Sequence, residues 1–199
     1  MNERVLLSSA ARPYPLLDER FSPFDQMTFR FTRGQGIFTM QEHTHFFGLH
    51  ALAQNTDVPT RLLEFPTMAD FEAELRAADY GVVGLTTNVY NLETVAEMCR
   101  VARRAAPKAR LVVGGYGTRC LADGALDYLR PGRDIDELCT GDGIRFVRRL
   151  LGKSERPGSI NCRLPLCGSA LPWLSPRLPG NSGTILSGLG CTTKCSFCA

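Results

Sequence analysis

A doubly wound α/β domain is the fold class this sequence predicts, on three observations. Short apolar runs, clearest at residues 81–86 and 109–114, alternate with stretches of helical periodicity. Those runs are continuously apolar, the pattern of parallel strands covered on both faces. The connections between them are short, which places helices on both sides of one sheet.

The elements follow in chain order. Residues 4–8 (Arg-Val-Leu-Leu-Ser) read as a first strand, followed by a long stretch rich in Pro, Asp and aromatics to about Met40. Residues 41–54 place Phe46, Phe47, Leu49, Leu52 and Ala53 at helical spacing, and residues 61–65 read as a strand. Thr67, with Asp70 three residues on, forms a capping box that opens a helix burying Phe71, Leu75 and Ala78. After the strand at 81–86, Asn91 is placed to cap a helix lined on one face by Leu92, Val95, Ala96, Cys99 and Ala102. The strand at 109–114 ends in a diglycine, a short helix is expected at 121–129, and a strand at 135–140. Gly141-Asp142-Gly143 then opens a helix that runs to Leu151 and stops at Gly152. Five strands alternating with five helices make a Rossmann/flavodoxin-like parallel sheet. In such a sheet a ligand binds outside the carboxyl ends of the strands, at the topological switch point.

Residues 153–183 differ in kind. Fourteen of these 31 residues are Pro, Gly or Ser, too many for a continuous helix or a central strand, so they read as a linker pinned by Leu171, Trp173 and Leu174. Residues 183–189 read as the first strand of a new unit. The domains are therefore 1–152, the linker 153–183, and a further start at 184–199.

Composition narrows the function classes. A net charge of +3, with no basic run beyond Arg103-Arg104 and Arg148-Arg149, argues against a nucleic-acid partner. No stretch approaches the roughly 18 apolar residues a membrane span needs. The segment from Met1 is no secretory signal, so a cytoplasmic location is expected. There the eight cysteines stay reduced. Cys99, Cys120 and Cys139 are scattered and read as small buried hydrophobes. Cys162, Cys167, Cys191, Cys195 and Cys198 crowd the tail.

The last three fall in a C-x3-C-x2-C pattern directly after an apolar run: Gly190-Cys191-Thr192-Thr193-Lys194-Cys195-Ser196-Phe197-Cys198. Three readings compete. A four-iron cluster takes thiolates from one short loop, and three ligands leave one iron open. Zinc would draw a fourth ligand from Cys167 or Cys162. Three unrelated reduced thiols is the third reading.

That run resembles the cluster loop of the radical S-adenosylmethionine superfamily, including the glycine before the first cysteine and the aromatic before the third. The resemblance implies that Cys191, Cys195 and Cys198 bind a 4Fe-4S cluster and that S-adenosylmethionine chelates the open iron. It also implies an electron donor such as flavodoxin or ferredoxin and cleavage to a 5′-deoxyadenosyl radical. Phe197 would flank the adenine, its plain alternative being packing at a strand end. The unit starting at 184 would then be the first strand of a β/α barrel cut off just after the cluster motif. The chain would be the N-terminal part of a longer enzyme, or else a remnant.

The domain ahead of the loop is similar to the cobalamin-binding subgroup of that superfamily, through Gly141-Asp142-Gly143 and Leu171-Pro172-Trp173. The resemblance implies a corrinoid lying across the strand ends, against Thr86, Thr87 and Asn88, then Gly114, Gly115 and Gly117. Glycine lets the backbone approach a flat cofactor, and equally suits a tight strand-to-helix turn with no ligand. His43-Thr44-His45-Phe46-Phe47-Gly48 resembles the D-x-H-x-x-G loop that supplies cobalt's lower ligand, with His45 as the ligand and His43 where the aspartate belongs. A histidine at a helix start is also an ordinary polar partner, and His50 has no role in this reading. The expected function is methylation or rearrangement of a carbon centre. The alternatives are a corrinoid-binding module without catalysis and a zinc-binding structural tail.

Overall fold

The computed structural model describes residues 3–11, 41–43, 45–122, 129–155, 160–165 and 168–170. In chain order the elements are β1 (Val5–Ser8), β2 (Gln41–His43), α1 (Phe47–Ala53), β3 (Thr60–Leu63), α2 (Met68–Ala77), β4 (Val82–Thr86), α3 (Leu92–Ala105), β5 (Arg110–Gly114), α4 (Thr118–Ala122), β6 (Glu137–Cys139), α5 (Gly143–Leu150) and β7 (Gly168–Ala170). Five strands form one sheet in the order β3-β1-β4-β5-β6, and every neighbouring pair is parallel. Numbered along the chain these strands run 2-1-3-4-5, the flavodoxin-like doubly wound order. The winding reverses at β1, so the switch point lies between the carboxyl ends of β1 and β4.

Successive strand residues face opposite sides of a sheet, and here both sides are covered. Leu6, Val83, Leu85, Leu111 and Val113 pack on Phe71 and Leu75 of α2 and on Val95, Met98 and Cys99 of α3. Val5, Leu7, Val82 and Val112 pack on Leu49 of α1, with Phe146 and Leu150 of α5 at the margin. Gly84, in the middle of β4, makes room for this second layer. A Cβ there would lie 2.7 Å from Leu7 Cδ2.

Local chemistry sets the helix ends. The Thr67 hydroxyl accepts from the Asp70 amide at 3.1 Å and the Asp70 carboxylate accepts from the Thr67 amide at 3.0 Å, which closes the expected capping box. Asp142 Oδ1 accepts from the Ile144 and Arg145 amides, and Gly152 ends the last helical stretch at φ +67°. Asn91 stands at the N-cap of α3, yet its side chain turns back toward Thr87 and Asn88 and caps nothing.

Two boundaries differ from expectation. The helix expected over 41–54 occupies only Phe47–Ala53. Its start is fixed where Glu64 accepts the Phe46 amide, and Gln41–His43 instead pairs antiparallel with Gly168–Ala170. The short helix expected at 121–129 begins at Thr118, and Leu129 has a left-handed φ of +62° that no helix continues through. Part of the expected linker is therefore a strand partner. The strand expected at 183–189, with Leu171, Trp173 and Leu174, lies outside the described residues.

Candidate functional site

The loops after β4 and β5 meet at the carboxyl edge of the sheet, beside the switch point. Thr86, Thr87 and Asn88 leave β4, while Gly114, Gly115 and Gly117 leave β5. The Thr87 amide donates to Gly114 O at 2.8 Å and the Gly117 amide donates to Thr87 O at 3.2 Å. Asn91 Oδ1 accepts from Thr87 Oγ1 at 2.9 Å and from the Asn88 amide at 2.8 Å, which stiffens the β4 loop. Gly115 has φ +98°, and a Cβ on it would sit 2.4 Å from Thr87 O; one on Gly117 would sit 2.8 Å from Asn88 C and O. Two of the three glycines singled out in the sequence thus serve contact between the two loops. Gly114 is looser, its Cβ position being 3.5 Å from Cys139 Cβ.

These loops present large apolar side chains to solvent. Val89, Tyr90 and Tyr116 are the exposed large hydrophobics among the described residues, with Tyr90 96% and Tyr116 78% exposed. Val89 and Tyr90 follow β4, which borders the switch point, and Tyr116 follows its neighbour β5. Rigid aromatic rings presented at strand ends offer stacking area to a flat ligand.

A second cluster lies one strand over. His45 precedes α1, His50 lies within it, and Glu64 follows β3. His45 Nδ1 is 2.9 Å from Glu64 Oε2, and His50 Nε2 is 3.1 Å from the same oxygen. Glu64 Oε1 accepts the Phe46 amide at 2.5 Å. Burial pushes the Glu64 carboxyl up, but hydrogen bonds from His45 and the Phe46 amide, with the nearby His50 ring, outweigh it and hold the group below its ordinary range. The next residue, Phe65, has a left-handed φ of +48°, and its amide donates to Ser9 Oγ at 2.7 Å. That bond ties the end of β3 to the end of β1.

Sequence reasoning singled out His45 but not the carboxylate beside it. It looked for a carboxylate two residues earlier and met His43. The carboxylate comes instead from Glu64, 19 residues on, where the β3-β1 adjacency brings it to the start of α1. His50, which the spacing argument set aside, converges on the same oxygen. The signal that could have found Glu64 was its place at the carboxyl end of the expected second strand.

Among the scattered cysteines, Cys99 and Cys139 are buried and Cys120 is half-buried. Burial pushes the Cys99 thiol up to about 12 and also raises Cys139, so neither is a thiolate near neutrality. Cys191, Cys195, Cys198 and Phe197 lie outside the described residues. No helix among the described residues is long and apolar enough to cross a membrane. No family model matches the chain, and no curated protein matches it.

Proposed function

We propose that this chain carries the cofactor-binding domain and cluster loop of a radical S-adenosylmethionine enzyme that methylates or rearranges a carbon centre, with cobalamin as methyl carrier. The observation that carries the reading is the C-x3-C-x2-C spacing of Cys191, Cys195 and Cys198, with Phe197 before the last cysteine. The chemistry a 4Fe-4S cluster supplies when bound there is one-electron reduction of S-adenosylmethionine to methionine and a 5′-deoxyadenosyl radical. A doubly wound parallel sheet ahead of the loop, with Tyr90 and Tyr116 exposed beside its switch point, supports a corrinoid across the strand ends. His45, its Nδ1 on Glu64, is the histidine this reading offers to cobalt; a carboxylate in that position orients an imidazole for ligation.

Anaerobic reconstitution with iron and sulfide tests the enzyme assignment. Uptake of about four irons per chain, with broad absorption in the visible blue, is expected, and Cys195→Ala should abolish it. Failure to take up iron, with zinc held instead and lost in Cys195→Ala, would remove the assignment and favour a zinc-binding tail. Hydroxocobalamin titration tests the corrinoid separately. A spectral change weakened by Tyr116→Ala supports it, and an unchanged spectrum leaves the domain as a scaffold. Cobalamin binding without cluster formation would favour the second reading, a corrinoid-binding module that does no catalysis.

A further inference from the structure

We infer that His45, His50 and Glu64 bind a divalent transition-metal ion of the zinc class. The inference does not rest on the radical-enzyme reading, and it gives His45 a use that competes with cobalt ligation.

Each of the three residues offers one ligand atom, and these atoms lie within 4.8 Å of one another. A tetrahedral ion with bonds of about 2.0–2.2 Å spaces its ligand atoms roughly 3.4 Å apart. The observed 2.9 and 3.1 Å from Glu64 Oε2 need open by only a few tenths of an ångström. Two imidazoles and a carboxylate form a donor set suited to Zn(II) and its first-row neighbours.

His50 separates this use from a corrinoid site, which needs a single imidazole. Its Nε2 is buried and makes no aligned hydrogen bond, although it stands 3.1 Å from a carboxylate oxygen. A buried ring nitrogen without a partner is costly, and a metal ion between the ring and the carboxylate would satisfy it. The supporting shell is in place: Glu64 Oε1 is fixed by the Phe46 amide, and the two imidazole rings meet edge to face with centroids 5.4 Å apart. The side chains of His45, His50 and Glu64 remain 19%, 19% and 22% exposed. An ion can therefore enter from solvent, and a water or a substrate oxygen can take the fourth position, as in open three-ligand sites.

The test titrates Zn(II) into the full chain carrying Cys191→Ala, Cys195→Ala and Cys198→Ala, so that the tail thiols do not compete. One ion per chain should bind, and His50→Asn and Glu64→Gln should each weaken binding by about tenfold or more. In isotope-labelled protein the ring signals of both His45 and His50 should move together on Zn(II) addition. Binding unchanged in the two variants, or ring signals of His50 that stay put at saturating Zn(II), overturns the inference. If Glu64→Gln fails to fold by circular dichroism, His50→Asn and the ring signals of the chain with native histidines decide it.

Discussion

The side-chain amide of Asn55 and the backbone of Asn161 hold each other in both directions. Asn55 Nδ2 donates to Asn161 O at 2.7 Å, and Asn55 Oδ1 accepts the Asn161 amide at 3.0 Å. Gln54 does the same with Arg163, at 2.7 and 2.8 Å. Two consecutive amide side chains at the end of α1 thus act toward residues 160–165 as a neighbouring strand would, and they seat the segment that leads to β7.

The two clasps should differ in strength. Asn55 is fully buried and its Nδ2 also donates to Ala51 O, whereas the Gln54 pair is exposed. Asn55→Ala should lower the unfolding free energy by about 2–3 kcal/mol, and Gln54→Ala by about 0.5–1 kcal/mol. Urea denaturation measures both, and limited proteolysis should cut near residue 161 faster in Asn55→Ala. Equal costs would mean that burial adds nothing to the Asn55 clasp.

Gly115 and Gly152 separate backbone strain from steric contact. Both have positive φ, but a Cβ on Gly152 meets nothing within 4 Å, while one on Gly115 would collide with Thr87 O. Gly152→Ala should cost about 1 kcal/mol for the left-handed conformation alone. Gly115→Ala should cost roughly 2–4 kcal/mol, because the β4 and β5 loops must also move apart. Thermal unfolding of the pair gives the difference. A Gly115→Ala variant as stable as Gly152→Ala would show that the contact between the loops is slack.

The parts of this fold that are legible in the sequence are those where one residue type has one physical use. Val82, Val83 and Leu85, and likewise Leu111, Val112 and Val113, are apolar without alternation because helices cover both faces of β4 and β5. Thr67 with Asp70, and Asp142 before α5, are readable because a cap is a local hydrogen bond. The start of α1 is not readable that way. Phe46 and Phe47 continue a helical pattern, but the helix begins where a carboxylate from another strand accepts the Phe46 amide. Glu64 escaped for the same reason, since its meeting with His45 and His50 depends on β3 lying beside β1. Gln41–His43 is too short and too polar to announce a strand, and only the antiparallel partner at Gly168–Ala170 makes it one.

Alkaline pH should destabilise the domain through two buried groups. Burial lifts the Cys99 thiol from 9.0 to about 12. Burial, with a hydrogen bond to Glu74, lifts the Tyr80 hydroxyl from 10.0 to about 12. Both groups stay protonated in the folded state where the unfolded chain has released its protons. Their contribution is fully present below pH 9 and is lost progressively between pH 9 and about 12, because the unfolded state binds fewer protons there. Urea midpoints measured upward from neutral pH should fall beyond pH 9, and Cys99→Ala should flatten the early part of that fall. A midpoint that stays level to pH 11 would contradict the burial of both groups.

Arg148 is a buried cation whose partners are mostly carbonyl groups. Its side chain is 6% exposed; Nη1 donates to Asn55 O at 2.8 Å and to Asp57 Oδ2 at 2.6 Å, and Nε donates to Ser154 O at 2.8 Å. One guanidinium thereby ties α5 to the turn after α1 and to the chain leaving α5, which a lysine ammonium with a single donor point cannot reproduce. The Asp57 side chain is 38% exposed, so water screens that ion pair and its share is small. The larger loss comes from the carbonyls, of which Asn55 O lies in fully buried surroundings. Arg148→Met, which keeps the apolar stem, should therefore cost about 3 kcal/mol, against about 1 kcal/mol or less for Asp57→Asn. Arg148→Lys should fall between them. A double-mutant cycle measured in urea checks the division, because a coupling energy between positions 148 and 57 as large as the whole cost of Arg148→Met would make the ion pair, and not the carbonyl cradle, what holds α5 in place.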